Sequence, residues 1–294
     1  MFSALATSNT HETDDNLTLR CHPDQAASLL QLKRPSPSSA TPAPSTHGRT
    51  APTGDCCLWE GVGCSNSSGY VTAIELSDRG LYSQGLDPAI FNLTSLQLLD
   101  LGMNNFGRCN LPATGFERLS LLTHLNLSNS GFQGQIPIGI GKLANLISLD
   151  LSVLYYAASD DPLNGHGTSI PGFTSWLWMQ EPNFQIIVGN LNNLREFYFY
   201  LDGVDMSTCA DDWCDAFANS LRTLRVLSLR YCNLIGLICR PLSTLHSLTV
   251  INLQDNFDTS VTPPQELLMV FYNLSFLQFA WTYLQRWSPS RIFQ

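Results

Sequence analysis

An apolar motif, L-x-x-L-x-L, recurs along most of the chain and constrains its fold more than any other feature of the sequence. The motif begins at Leu96, Leu122, Leu146, Leu194, Leu224, Leu248 and Leu274, and an earlier copy reads Val71, Ile74 and Leu76. Successive copies lie 24 to 30 residues apart, except for one step of 48 residues. Such a period is typical of solenoids, in which each unit buries its apolar residues only by stacking on the next.

The alternation within each copy predicts a short strand whose leucines point into a shared core. We expect the strands to pair in parallel from about Val71 to Phe279 and to line a concave face. The returning segments, such as 138–146, are expected to form short helical turns on the convex side. The predicted fold class is therefore an α/β repeat: a right-handed solenoid with about eight repeats over residues 71–294.

One repeat carries additional sequence. The segment 155–182 within the 48-residue step lacks the motif and is rich in Gly, Ser, Asp and aromatic residues. We interpret it as a surface loop insertion, after which the repeat resumes near Asn183. A degenerate extra repeat is the alternative interpretation.

Charge and motif content exclude several classes of function. The formal net charge is −9 and the isoelectric point is near 5.0, which disfavours a nucleic-acid partner because phosphate binding needs clustered Lys and Arg. No run of about 18 apolar residues is present, so no transmembrane segment is predicted. Neither a nucleophile motif nor a regular spacing of metal ligands is found, so we expect no enzymatic activity, no cofactor and no metal site.

Cysteines and glycosylation sequons point to an oxidising compartment. The chain has nine cysteines, most of them in clusters. Asn-x-Ser/Thr sequons lie at Asn16, Asn66, Asn92, Asn126 and Asn273. Together these features favour a secretory route. We interpret residues 1–20 as disordered or as the remnant of a signal peptide.

Two further motifs carry a family resemblance. Several copies continue as F/L-x-G-x-I/L-P, most clearly in Phe132–Pro137, and cysteines at 21, 56, 57 and 64 flank the sequence Leu58-Trp59-Glu60-Gly61-Val62-Gly63. These motifs resemble the plant-type leucine-rich repeat of receptor-like proteins, receptor-like kinases and polygalacturonase inhibitors. The resemblance covers roughly residues 21–34 and 54–294.

This resemblance implies a disulfide-stapled N-terminal cap over residues 21–70. It implies the disulfides Cys21–Cys56 and Cys57–Cys64, and Asp24 is a candidate N-cap for the helix that follows Cys21. A Pro- and Ser-rich insert at 35–54 interrupts the cap and is predicted to be disordered. A zinc site at these cysteines is the rival interpretation, and it lacks a Cys-x-x-Cys pair.

The family also has a ladder of Asn side chains that caps the turn after each strand. The corresponding positions here hold Asn104, Ser130, Leu154, Asp202, Cys232, Asn256 and Thr282. Only two of the seven are Asn, so we expect a weak ladder. Among the remaining cysteines, Cys214–Cys239 is the preferred additional bridge, and Cys109 is the simplest candidate for a free thiol.

The resemblance implies a function in extracellular recognition. We expect the chain to be part of a receptor-like protein ectodomain, outside the cell or on the external face of the plasma membrane. Its expected partners are a protein, peptide or glycan ligand and a co-receptor kinase, in defence or developmental signalling. The alternatives are a soluble protein similar to the polygalacturonase inhibitors and a non-functional truncated fragment, since the chain ends at Gln294 within a repeat.

Outward-facing positions on the strands give the candidate site. The predicted register places Tyr198 beside Ser228 and Asn252, and Tyr200 beside Arg230 and Gln254. A third predicted row contains Leu201, Tyr231 and Asp255. Because Tyr, Trp and Arg dominate binding hot spots, the predicted ligand contacts are Tyr198, Tyr200, Arg230, Tyr231 and Trp281. The alternative is that these aromatic residues only cover the sheet.

Overall fold

The structure is a computed structural model that describes residues 21–32, 54–153, 177–180, 182–191, 197–201, 203–206, 213–234, 240–254, 256 and 274–279. For residues 197–200, 240 and 276–279 it describes the backbone. The predicted N-terminal segment, residues 35–53 of the expected cap insert, and residues 154–176 of the expected loop lie outside this part of the chain.

Short strands recur along the described chain, and each repeat unit is called a coil below. The strands are β1 (Val62–Cys64), β2 (Val71–Glu75), β3 (Leu98–Asp100), β4 (His124–Asn126), β5 (Gly134–Gln135), β6 (Ser148–Asp150), β7 (Leu177–Trp178), β8 (Phe197–Tyr200), β9 (Leu224–Ser228), β10 (Val250–Leu253) and β11 (Phe276–Phe279). Nine of them form one sheet in the order β1-β2-β3-β4-β6-β8-β9-β10-β11, and β5 pairs with β7 in a second sheet.

From β2 onward the large sheet is parallel, and each strand pairs with the equivalent strand of the next coil. Leu99 pairs with Leu125, Leu125 with Leu149, and Leu149 with Phe199. The predicted repeat solenoid with a parallel concave sheet is confirmed, and the second sheet, β5 with β7, is an addition to it. Strand β1 was not predicted, and it pairs antiparallel with β2 at the N-terminal edge.

The motif leucines form one continuous core, as predicted. Leu99, Leu101, Leu125, Leu127, Leu149 and Leu151 are all at most 3% exposed and belong to the same apolar cluster. A single coil cannot enclose such residues, so their burial requires the neighbouring coils on both sides.

The returning segments are helical, as expected for the convex side. They contain 3₁₀ turns at Pro88–Asn92, Phe116–Arg118, Ile138–Lys142 and Arg240–Thr244, and α-helices α2 (Asn183–Asn190) and α3 (Trp213–Ser220). The first turn shows why such a segment starts where it does. Asp87 accepts a hydrogen bond from the backbone N–H of Ala89 at 2.8 Å, and Pro88 at the first helical position has no N–H to satisfy.

The N-terminal cap contains helix α1 (Pro23–Leu32) and a 3₁₀ turn at Cys56–Leu58. Disulfides join Cys21 to Cys56 and Cys57 to Cys64, the pairing that the resemblance implies. These sulfur atoms lie close together but are held in disulfides, so they are not thiolate ligands for zinc.

The cap is joined to the first coil by a buried hydrogen bond, in which the backbone N–H of Val71 donates to Oε1 of Gln25 at 2.6 Å. The predicted N-cap is wrong: Asp24 lies inside the first helical turn. The residue preceding the helix is His22, whose carbonyl accepts from the amides of Gln25 and Ala26.

The last residues of the segment that we interpret as a loop insertion, from Leu177 onward, pack within the repeat. Leu177 and Trp178 form β7, which pairs in parallel with Gly134 and Gln135 of the preceding coil. Leu177 and Met179 are buried in the common core. Leu177 therefore already belongs to the repeat, before the predicted position near Asn183.

Asparagine side chains tie neighbouring coils together. Nδ2 of Asn104 donates to the carbonyl of Leu76 in the preceding coil at 2.8 Å and to that of Leu101 in its own coil at 2.9 Å. Asn256 makes the equivalent two bonds at 2.8 and 2.9 Å. Both side chains are buried, so these bonds satisfy carbonyls that water does not reach.

Other residue types also serve in this ladder. Oγ of Ser130 donates to the carbonyl of Leu101 at 2.8 Å, and Sγ of Cys232 donates to that of Leu201 at 3.0 Å. The expectation of a weak ladder is therefore wrong at these two positions. The observed register places Val204, and not Asp202, at the equivalent position of the intervening coil. Leu154, Asp202 and Thr282 lie outside the described residues.

Candidate ligand-binding surface

The concave face is built from the side chains that alternate with the core leucines. Strand register aligns the position between the two inward residues of each coil into one row, which we call the inner row: Glu75, Asp100, Asn126, Asp150, Tyr200, Ser228, Asn252 and Gln278. The first four residues of this row carry a carboxylate or an amide, and Tyr200 is the fifth.

Side chains of the inner row also cap the ends of their own strands. Oδ1 of Asn126 accepts from the backbone N–H of Ser128 at 2.9 Å and from its hydroxyl at 2.7 Å. Asp150 makes the same pair of bonds with Ser152 at 2.9 and 2.6 Å. Such side-chain-to-backbone bonds fix the turn after the strand. The N-terminal half of the concave face is therefore held in place before any ligand binds.

The predicted alignment of Tyr198 and Tyr200 is wrong by two residues. Tyr200 pairs with Ser228, and Tyr198 pairs with Val226. Leu201 is fully buried in the core and is not a surface residue. The pattern did not reveal the error, because a shift of two residues keeps every side chain on the same face of a strand.

Arg230 and Tyr231 lie together just after β9. The guanidinium carbon of Arg230 is 4.8 Å from the centre of the Tyr231 ring, a distance at which cation and ring attract each other. Both residues are half-buried. The backbone N–H of Tyr231 donates to the carbonyl of Gln254 at 3.0 Å, which fixes the pair against the following coil.

The concave face is more covered near β9 than near β6. Val226 and Ser228 are 5% and 3% exposed, although they occupy outward positions. Ser148 and Asp150, at the equivalent positions of β6, are half-buried. In this region a ligand therefore has better access to Arg230 and Tyr231 than to the strand itself.

The structure brings only part of the predicted contact set together. Tyr198 and Tyr200 lie on β8, one strand before the β9 end that carries Arg230 and Tyr231. Only the backbone of the two β8 residues is described. Trp281 lies outside the described residues.

The second sheet, β5 with β7, is not predicted by the sequence pattern, because neither strand carries the L-x-L alternation.

Three of the predicted sequons lie in the described chain. Asn66 and Asn92 are exposed, whereas Asn126 is half-buried on the concave face. Asn92 lies on the convex side, where its Oδ1 accepts from Arg118 at 3.1 Å. Asn16 and Asn273 lie outside the described residues.

The remaining cysteines differ in state. Cys214 is disulfide-bonded, while Cys239, its predicted partner, lies outside the described residues. Cys109 is a free thiol of intermediate exposure.

Within the described ranges, none of the helices has the length and apolar character needed to cross a membrane.

Comparison with known proteins identifies the repeat. The family model described as Leucine Rich Repeat matches residues 121–143 and 223–245. Receptor-like protein 6 of Arabidopsis thaliana is 32% identical over 279 residues, covering 87% of this chain and 26% of the relative. Receptor-like protein EIX1 of Solanum lycopersicum is 31% identical over 231 residues, covering 73% and 22% respectively. The chain thus spans about a quarter of the length of these relatives.

Solved structures show the same fold. The ectodomain of the receptor kinase GASSHO1/SCHENGEN3 from Arabidopsis thaliana, in complex with CASPARIAN STRIP INTEGRITY FACTOR 2, gives a TM-score of 0.56 at 18% identity. That match covers 87% of this chain and 29% of the ectodomain. The PEPR1–AtPEP1 structure gives a TM-score of 0.50 at 20% identity, covering 87% of this chain and 41% of that one.

Proposed function

Because the chain belongs to the plant leucine-rich-repeat receptor-like proteins, we propose that it recognises an extracellular ligand as part of a receptor ectodomain. The ligand is a protein, peptide or glycan, and the proposed function is recognition without a catalytic step. The proposed location is outside the cell or on the external face of the plasma membrane. Signalling, in defence or development, then proceeds through a co-receptor kinase.

The observation that carries this proposal is the continuous register of the concave sheet. From β2 to β11 each strand of the large sheet is aligned with the next, so outward side chains from different coils share one rigid surface. A surface ordered before binding loses little conformational entropy when a ligand arrives. Two of the structural relatives were solved with a named partner, CASPARIAN STRIP INTEGRITY FACTOR 2 in one and AtPEP1 in the other.

We place the ligand contact at Tyr198, Tyr200, Arg230, Tyr231 and Trp281. Arg230 and Tyr231 support this placement, because their mutual stacking at 4.8 Å holds a cation and an aromatic ring half-exposed at the end of a strand. Both residue types bury large areas while keeping a polar group available, which is why they dominate hot spots.

The test begins with the secreted chain immobilised and exposed to extracellular fluid from plant tissue and from microbial culture. Retained molecules are identified, and their affinity is measured by calorimetry for wild type, Tyr200→Ala and Arg230→Ala. Each of the two variants should lose about 1–3 kcal/mol of binding free energy. Arg230→Lys should also lose affinity, because an ammonium group lacks the planar surface of the guanidinium.

Thr123→Ala is the matched control, since Thr123 immediately precedes β4, away from this patch. Its affinity should equal that of the wild type. The proposed contact is refuted if a saturable ligand binds Tyr200→Ala and Arg230→Ala as tightly as the wild type. The recognition function itself is refuted if neither fluid contains a component that binds saturably.

A further inference from the structure

A second extended surface follows the turn at the end of the concave strands. Its centre is the pairing of β5 with β7. Isolated parallel bridges continue it in both directions: Tyr82 pairs with Asn105, Asn110 with Gln133, and Trp178 with Asp205. Extended backbone therefore links successive coils here, separately from the concave sheet.

Buried and half-buried side chains alternate along β5 and β7, so one set of side chains faces outward on this surface. Gly134 and Ile136 are buried while Gln135 between them is half-buried, and Leu177 and Met179 are buried while Trp178 between them is half-buried. Gln135 and Trp178 are in register, so both project from the same face, with Cβ atoms about 5 Å apart.

The neighbouring positions are amides and one further aromatic ring. Asn110 is exposed and Gln133 half-buried, while Tyr82 is 50% exposed and its partner Asn105 is half-buried. We call the six residues Tyr82, Asn105, Asn110, Gln133, Gln135 and Trp178 the lateral strip. None of these six side chains carries a charge at neutral pH, and among the residues that the described bridges pair, the one acid is the half-buried Asp205 beside Trp178.

Several of these amides are held in fixed positions. Oε1 of Gln135 accepts from the backbone N–H of Gln180 at 3.3 Å, and its Nε2 donates to the carbonyl of Ile136 at 3.3 Å. Oδ1 of Asn105 accepts from the N–H of Gly107 at 2.9 Å. Asn110 packs against Gly134, where a Cβ would lie only 2.7 Å from Oδ1 of Asn110. The glycine therefore allows the amide to lie close to the backbone.

We propose that the lateral strip binds a neutral oligosaccharide. A carboxamide has both donors and an acceptor, so a row of amides can pair with sugar hydroxyls, which also donate and accept. The rings of Trp178 and Tyr82 offer flat apolar faces for the C–H side of a pyranose. The six side chains offer no cation, and the neighbouring Asp205 is an acid, so the strip favours neutral sugars over acidic sugars.

The repeat geometry suits an extended chain. Tyr82 and Trp178 lie on different coils, and neighbouring paired strands are about 4.8 Å apart. A linear oligosaccharide crossing the coils from Tyr82 to Trp178 therefore has amides available between the two aromatic rings. The strip is distinct from the concave patch around Arg230, and the proposal does not rest on the ligand proposed for that patch.

Calorimetry at millimolar sugar measures how tightly the full chain binds two neutral hexasaccharides, one of β-1,4-linked and one of β-1,3-linked glucose. Gln133→Ala should weaken binding about threefold to tenfold, the loss expected for one or two hydrogen bonds. Trp178→Ala should weaken it by at least about tenfold, and Trp178→Phe, which keeps a flat ring, should retain most of the affinity.

Gln97→Ala is the matched control, because Gln97 is an exposed amide that precedes β3, away from the strip. Its affinity should equal the wild-type value, which separates a loss at the strip from the general effect of replacing an exposed amide. Three outcomes overturn the proposal: no binding of either hexasaccharide at millimolar concentration, unchanged affinity in Gln133→Ala, or tighter binding of an oligogalacturonate than of the neutral sugars. Thermal unfolding of each variant establishes that a loss of binding is not a loss of folding.

Discussion

The thiol of Cys232 donates a hydrogen bond to the carbonyl oxygen of Leu201, in the preceding coil, at 3.0 Å. Ser130 makes the equivalent bond to Leu101 at 2.8 Å. The geometry that the solenoid needs at this position is one donor directed at the previous coil. Asn supplies further bonds, but a hydroxyl or thiol of similar reach keeps the essential one.

The ladder positions should therefore differ in how much they stabilise the fold. Asn256 donates to three carbonyls, at 2.8, 2.9 and 3.5 Å, and accepts from the amides of Cys232 and Leu234. Asn256→Ala leaves several buried groups without partners, each costing about 1–3 kcal/mol. We expect a larger loss in the free energy of unfolding for Asn256→Ala than for Ser130→Ala, and the smallest for Cys232→Ala, because a thiol is a weak donor. Urea unfolding followed by circular dichroism measures this order, and an equal loss in all three variants would contradict it.

The sequence predicted the core better than the strand alignment. Leu99, Leu125 and Leu149 were assigned to one core because their spacing leaves no other solenoid register. Around β8 the chain reads Phe197, Phe199 and Leu201, three apolar residues on one face of a strand. Two alignments then bury the same face, and hydrogen bonding to Leu227 and Ser228 selects between them.

The short strands were missed for a different reason. Strand β7 has only two residues, Leu177 and Trp178, and it pairs with a strand that begins at Gly134. A two-residue strand has no periodicity to detect. Its position depends on contacts with the preceding coil, which the local sequence does not encode.

The corrected register can be tested by cross-linking. In the background of Cys109→Ser, which removes an accessible free thiol, Tyr200→Cys with Ser228→Cys places two Cα atoms on adjacent paired strands about 4.8 Å apart. That spacing lies within the range of about 4.4–6.8 Å that a disulfide spans. Mild oxidation and peptide mapping by mass spectrometry should detect this bond. The pair Tyr200→Cys with Arg230→Cys is the control and should remain unlinked; the opposite pattern would restore the predicted alignment.

Glycosylation is predicted to differ among the sequons. The side chain of Asn126 lies against Gly102, where a Cβ would be 2.8 Å from Nδ2 of Asn126. Its Oδ1 is engaged by Ser128. A glycan on this nitrogen would have to displace the amide from the sheet. In protein secreted from plant cells, peptide mapping should show high occupancy at Asn66 and Asn92 and low occupancy at Asn126. Full occupancy at Asn126 in folded protein would show that the concave face accepts a glycan there.

Met103 should be replaceable with a gain in stability. Its backbone φ is +58° and its side chain is 40% exposed. The equivalent position of the next coil is Asn129, with φ of +50°. Asn tolerates the left-handed region better than an unbranched apolar residue does. Met103→Asn should raise the free energy of unfolding by about 0.5–1 kcal/mol, as measured by urea unfolding. Leu121→Asn, a change at another exposed apolar residue, is the control and should give no such gain.

Glu117 should make the stability of the convex side depend on pH. The pKa of Glu117 is lowered chiefly because its own backbone N–H donates to the carboxylate. The backbone N–H of Gly115 also donates to it at 2.9 Å, and the positive charges of Lys142 and Arg118 lower the pKa further. Partial burial raises the pKa and opposes these effects. A carboxyl group whose pKa is lower in the folded state contributes its full stabilisation above the unfolded-state pKa, and loses it as the pH falls through the folded-state pKa. Glu117→Gln should therefore unfold at a lower temperature than wild type at neutral pH, and the difference should shrink as the pH falls below about 4, the ordinary range for Glu. Thermal unfolding of both proteins between neutral and acidic pH measures this. A difference that stays constant across that range would mean that the charge of Glu117 does not contribute.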